Sequence, residues 1–291
     1  MRWKGGRKSS NIDDRRGSGG SFKRGLPFGK KSSFSLTTIA VLFLGYWILG
    51  GDPIKFLNFI SNVNQGSPSV KVDNSYQKPS KENKEVAEFV SVILADTEDV
   101  WSEIFRKNGS QYREPTLVLF SGSINSACGF ASSASGPFYC PGDSKLYLDL
   151  SFLNELKKLG AKGDFPLAYV IAHEVAHHIQ NLTGTLTKVA RAKQDMSKNE
   201  ANQLQVKVEL QADCYSGVWA NHAENQRDLL EAGDIEEGIN AAAAIGDDNL
   251  MKRAGRSVSP ESFTHGSSKQ RVDAFVKGYK TGLYRECGFI S

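Results

Sequence analysis

Phe165-Pro-Leu-Ala-Tyr-Val-Ile-Ala-His-Glu-Val-Ala-His-His-Ile-Gln180 decides how this chain is read. Leu167, Val170, Ile171, Val175 and Ile179 recur at helical spacing, which predicts a largely buried helix over about 166–181. His173-Glu174-x-x-His177 lies in its middle. Four residues turn an α-helix by about 400°, so both imidazoles project from one face, one turn apart. Both can then reach one zinc ion at about 2.0–2.1 Å. Glu174 points to one side of the pair, where it can hold a water at the metal. Two core histidines joined by hydrogen bonds are the bland alternative, and the helical context favours metal.

Two imidazoles do not complete a catalytic zinc site, which takes a third protein ligand and keeps one position open. Gln205-Val-Lys-Val-Glu209-Leu-Gln-Ala-Asp213-Cys-Tyr-Ser-Gly-Val-Trp-Ala-Asn-His222 follows downstream and reads as an amphipathic helix. Glu209 and Asp213 are again four apart and share a face. Their expected division of labour is Glu209 on zinc and Asp213 accepting a hydrogen bond from the far nitrogen of a ligating histidine, which fixes that ring. An exposed acidic face is the alternative. Leu210, Ala212, Val218 and Trp219 argue for burial, where unpaired carboxylates are costly.

Other polar residues fit less well. His178 is rotated about 100° from His177 and reads as structural. His222 lies about 220° around the helix from Glu209, and Tyr215 is off the metal face on similar grounds. His265, in Phe263-Thr-His-Gly-Ser-Ser-Lys-Gln-Arg271, is a candidate to steady an oxyanion, as is Arg271. A capping role for this loop is the alternative.

The 291 residues are 40% hydrophobic and 23% charged, which fits a globular protein and excludes a collagen, a coiled-coil rod and a wholly disordered chain. The mean hydropathy of −0.37 excludes a polytopic membrane protein. The net charge of +4 hides an asymmetry. Residues 1–33 hold ten Lys/Arg against Asp13 and Asp14, a net of +8, leaving −4 for the remainder. Residues 1–33 are expected to be a disordered cytoplasmic arm, since they carry little apolar surface to offset ordering. Residues 34–50 have no charge and, at 17 residues, span roughly 25 Å as a helix, the short end of a membrane crossing. A cleaved signal and a soluble helix are the other readings. An uncleaved anchor is expected, with residues 51–80 as linker and 81–291 as a domain outside the cytoplasmic membrane.

The domain reads as α+β, mostly helical with a small antiparallel or mixed sheet, preceded by one transmembrane helix. Helical spacing runs from Val86 to Phe105. Thr116–Phe120, Phe138–Pro141 and Lys145–Leu150 read as strands, and 121–136 as a Ser/Gly/Ala-rich loop. Helices are expected at about 151–159, 199–223, 225–232, 235–245 and 269–281. Cys128, Cys140, Cys214 and Cys287 lack C-x-x-C spacing. An exported domain permits disulfides, and Cys128–Cys140 would staple the loop beside the strands, leaving Cys214–Cys287. Four buried thiols are the alternative.

His173-Glu-Val-Ala-His-His178 followed by Glu209-Leu-Gln-Ala-Asp-Cys214 resembles the zincin peptidases with a glutamate third ligand. Cys128-Gly, Gly136-Pro-Phe-Tyr-Cys-Pro141, Ala241-Ala-Ala-Ala-Ile-Gly-Asp-Asp248 and His265-Gly-Ser-Ser-Lys-Gln-Arg271 make it more similar to the bacterial neutral zinc metallopeptidases, a membrane-anchored group. The resemblance covers most of 81–291. It implies a zincin fold, one zinc per chain on His173, His177 and Glu209, Glu174 as general base, and a peptide or protein substrate held against a sheet edge, either Phe138–Cys140 or Lys145–Leu150. A zinc-stabilised envelope scaffold without catalysis is the rival. Nucleic-acid binding by residues 1–33 is a third possibility, and no nucleic-acid partner is expected.

Overall fold

The computed structural model describes residues 1–16 and 81–288. The expected anchor at 34–50 and linker at 51–80 lie outside the described residues. Among the described residues, no helix is long and apolar enough to cross a membrane.

Four strands make a mixed sheet in the order β1-β2-β6-β5, where β1 is Ile12–Asp14, β2 Thr116–Phe120, β5 Phe138–Cys140 and β6 Lys145–Asp149. β1 and β6 both run parallel to β2, and β5 is antiparallel to β6. Alternation along β2 splits its side chains between two faces. Leu117 and Leu119 join Leu146 and Leu148 in the main core, while Val118 and Phe120 pack with Cys140 and Tyr147 on the other side. That second face is capped by Ile124 from a hairpin, β3 (Ser123–Ser126) with β4 (Gly129–Ser132). The stretch expected to be a loop at 121–136 is thus largely this hairpin. The Cys128–Cys140 disulfide ties its tip to β5.

Helices fill the main side: α1 (Lys81–Lys107), α2 (Phe152–Lys158), α3 (Phe165–Leu182), α4 (Thr185–Ala192), α5 (Lys198–Asn225), α6 (Asp234–Ala244), α7 (Asp247–Arg253) and α8 (Ser268–Thr281). α5 starts in a capping box in which Ser197 and Glu200 satisfy each other's backbone donors. α5 and α8 cross in backbone contact. A Cβ on Gly217 would stand 2.0 Å from the Phe275 carbonyl oxygen, and one on Gly278 would stand 1.9 Å from that of Cys214. No side chain fits there, so both positions require glycine. The Cys214–Cys287 disulfide closes the same region.

Three expectations are corrected. Residues 225–232 are not a helix beyond the end of α5: Asp228 takes a left-handed conformation (φ 50°), which breaks helical continuation. α4 and α7 were not expected, each being short. Most consequentially, residues 1–16 are not a disordered arm. They fold onto the domain, with Trp3 buried and β1 completing the sheet. The Met1 ammonium lies 2.8 Å from Glu231 and 3.2 Å from Asp164, just ahead of α3. Asp164, Asp234 and Glu237 also approach one another here, and the ammonium supplies their positive charge.

Candidate metal centre

α3 is buried along most of its length, which puts His173 in the interior and leaves Glu174 and His177 half-buried beside a cleft. α5 packs against it and brings Glu209 to the pair. Glu209 Oε2 lies 3.2 Å from His173 Nε2 and 3.4 Å from His177 Nε2. Donors at the corners of a tetrahedron with bonds of about 2.0–2.1 Å stand about 3.3 Å apart, so these spacings suit one zinc ion.

The far ring nitrogens are both used. His173 Nδ1 lies 2.8 Å from Asp213 Oδ1, and His177 Nδ1 lies 2.8 Å from Gln180 Oε1. Gln180 Nε2 donates to the Val208 carbonyl and to Gln211, which fixes the amide with its oxygen toward His177. With the ring hydrogens given to Asp213 and Gln180, each Nε2 presents a lone pair. Two such lone pairs and a carboxylate oxygen would then converge on one point, a donor set that suits a metal cation.

The carboxylates around the two rings favour positive charge at this point, whether a proton on a ring or a metal ion in its place. Burial pushes the His173 ring down, but Asp213 and Glu209 overcome it and lift the pKa to about 10. Burial works to raise Glu209, yet His177 and His173 hold it well below the usual carboxylate range. Gln205 Nε2 donates to the other oxygen of Glu209 at 2.7 Å, so Oε2 is the one presented to the histidines.

Asp213 is wholly buried and held from three sides. Arg271 donates through Nε and Nη2, both at 2.9 Å, and Tyr169 donates its hydroxyl at 2.5 Å. Burial raises the Asp213 carboxyl, but Arg271 and His173 together bring it to about 2. Tyr169, Gln180 and Gln205 were not singled out in the sequence. Each had a local signal: Tyr169 sits four residues before His173, Gln180 three after His177 and Gln205 four before Glu209, all on the faces that carry those residues.

The sequence candidates for an oxyanion donor are placed differently. Arg271 is buried and committed to Asp213 and Tyr169. His265 lines the cleft but is half-exposed, facing Asp247 at 3.4 Å and the Thr264 hydroxyl at 3.1 Å. His178 bridges the Tyr139 hydroxyl and the Arg113 carbonyl, His222 faces the Gly282 carbonyl, and Tyr215 packs edge-on against Trp101. None of those three joins the group that could hold a metal ion, His173, His177 and Glu209.

A cleft of about 970 Å³ opens over the cluster. Its apolar walls include Phe138, Tyr139, Phe152, Leu186, Ile245 and Leu250. Glu174 sits on this cleft, and burial raises its carboxyl above the ordinary value against the pull of His177 and His173. β5, the strand at this cleft, is terminal in the sheet, whereas β6 lies between β2 and β5, which covers its residues 145–147. Of the two edges expected from sequence, β5 is the one at the rim of the sheet.

No solved structure matches the chain. Among known sequences, the chain is 45% identical to the uncharacterised protein YpfJ of Escherichia coli K12, over 99% of this chain and 98% of that protein. It is 41% identical to the uncharacterised protein Rv2575 of Mycobacterium tuberculosis H37Rv, over 62% of this chain and 64% of that one. The sequence model described as "Putative neutral zinc metallopeptidase" matches residues 1–289, and the chain belongs to that family.

Proposed function

We propose that the protein hydrolyses peptide bonds with one zinc ion held by His173, His177 and Glu209 and with Glu174 as general base, on a zincin-like arrangement of helix and sheet. The convergence of two imidazole lone pairs and one carboxylate oxygen at the cleft carries this reading. When bound, zinc supplies Lewis acidity, which favours deprotonation of water near pH 7 and polarises a carbonyl.

The chain's own residues do the rest. β5 offers backbone groups to an extended peptide, which would lie along the cleft as a further strand. The apolar walls exclude water and take up side chains of the substrate. Glu174 accepts a proton from the attacking water and delivers it to the departing amine nitrogen, so that the leaving group departs neutral. Asp213 and Gln180 hold the two ligand rings in orientation throughout.

The full-length chain and its Glu174→Gln variant, both loaded with zinc, are to be compared by proteome-wide cleavage-site profiling. Cleavage by the wild type that the variant lacks supports a peptidase. Equal profiles, with zinc retained in both, would indicate the non-catalytic scaffold.

A further inference from the structure

Residues 1–16 are built into the domain rather than laid on it. The Trp3 ring is buried edge-on to Phe89 on α1, with centroids 5.4 Å apart. Gly6 passes so close to α1 that a Cβ there would stand 2.8 Å from Val92 Cγ1. Backbone hydrogen bonds run from Arg2 to the Leu229 carbonyl at 2.8 Å and from Ser9 to the Ser91 carbonyl at 3.0 Å. β1 then pairs with β2, Ile12 opposite Leu117 and Asp14 opposite Leu119. Glu98 on α1 is fully buried, and Arg7, Ser9 and Asn11 all donate to its carboxylate. Without those donors, a buried charge on the body would lose three of its partners, which is costly.

The same packing gives the basic residues of 1–16 partners on the domain; Lys23, Arg24, Lys30 and Lys31 lie outside the described residues. A Lys/Arg-rich flank beside an apolar stretch is ordinarily a signal for retention in the cytoplasm. Here every Lys and Arg of residues 1–16 faces a carboxylate. Arg2 pairs with Asp228, Lys4 with Glu85, Arg7 with Asp99 and Lys8 with Glu88, all on the acidic body, while Arg15 and Arg16 pair with Asp13 and Asp14. Exposed pairs of this kind add little stability. What they show is complementarity between the positive segment and the negative body. The family match likewise extends to residue 1.

A bilayer with a hydrocarbon core of about 30 Å cannot pass between segments joined by hydrogen bonds. We infer that residues 1–16 and 81–288 lie on the same side of any membrane the chain engages. The disulfides Cys128–Cys140 and Cys214–Cys287 place that shared side outside the reducing cytosol. This reverses the expected sidedness of the N-terminal segment and is independent of whether the cleft is catalytic.

The test uses the full chain in bacterial cells, with one epitope inserted after Gly19 and another after Ser291. Cells with a permeabilised outer envelope and an intact cytoplasmic membrane are treated with a protease that cannot cross it. Both epitopes are expected to be digested before the cytoplasmic membrane is lysed. Digestion of one with protection of the other overturns the shared side. Protection of both until lysis overturns its placement outside the cytosol. The docking itself is tested by Trp3→Ala in the purified full chain, which is expected to lower Tm by on the order of 10 °C. An unchanged Tm would contradict it.

Discussion

Asp213 receives the Nδ1 hydrogen of His173 at 2.8 Å, and this contact couples the helix bearing His173 and His177 to the helix bearing Glu209. Arg271 clamps the same carboxylate from α8. The orientation of the His173 ring therefore depends on packing among three helices.

Asp213→Ala is expected to weaken zinc binding by about 10–100-fold, because the His173 ring loses its orienting partner. It also leaves the Arg271 guanidinium buried without its main counter-charge, at a cost of roughly 3–5 kcal/mol. The double variant Asp213→Leu/Arg271→Met should recover much of that stability and none of the affinity. Chelator competition for zinc and thermal unfolding separate the two effects.

Gly278→Ala is expected to destabilise the fold by more than the roughly 1–3 kcal/mol usual for overpacking, because its Cβ would meet the rigid Cys214 carbonyl rather than a mobile side chain. Exposed Gly255 has open space for a Cβ, so Gly255→Ala controls for helix-independent glycine effects, with only the strain of its positive φ to absorb. Denaturant titration of both variants checks the difference. Equal losses would contradict a backbone contact between α5 and α8.

Asp149 caps the chain at the end of β6, accepting from Gly122 N, Ser133 Oγ and Ser151 N. Burial raises its carboxyl, but these hydrogen bonds win and hold it below the ordinary value. A depressed folded-state pKa contributes stability that is present above the unfolded pKa, about 3.9, and is lost as pH falls through the folded value. Asp149→Asn should therefore flatten the acid limb of the stability curve below about pH 4 and cost roughly 1–3 kcal/mol at neutral pH. Unfolding measured from pH 7 down to pH 2 tests both.

Breaking Cys214–Cys287 by a paired serine substitution should cost about 2–4 kcal/mol, since the bridge spans 73 residues and restricts the unfolded chain. The wild type should lose similar stability in reductant, and the variant should not respond at that bridge.

The convergence of His173, His177 and Glu209 is legible because it is written in local spacing. His173, His177, Glu209 and Asp213 each follow from one turn of helix, and the remaining step was to let two amphipathic helices meet. Arg271 was not legible in its true place. Nothing within α8 reveals that a buried carboxylate 58 residues earlier will claim its guanidinium. The N-terminal segment was misread for a related reason. Its strand is three residues long, it has one large buried anchor in Trp3, and the charges of Met1, Lys4 and Lys8 find their partners about 80–230 residues away. Composition alone therefore looked like disorder. The hairpin at 123–132 was hidden because its order comes from Cys128–Cys140 and Ile124 packing, not from strand propensity.

Anomalous diffraction at the zinc edge, from crystals of the zinc-loaded full chain, tests the central claim most directly. One peak per chain is expected at bonding distance from His173 Nε2, His177 Nε2 and Glu209 Oε2, with the fourth position facing the cleft beside Glu174. A peak elsewhere, or a fourth position closed by a protein side chain, would contradict it.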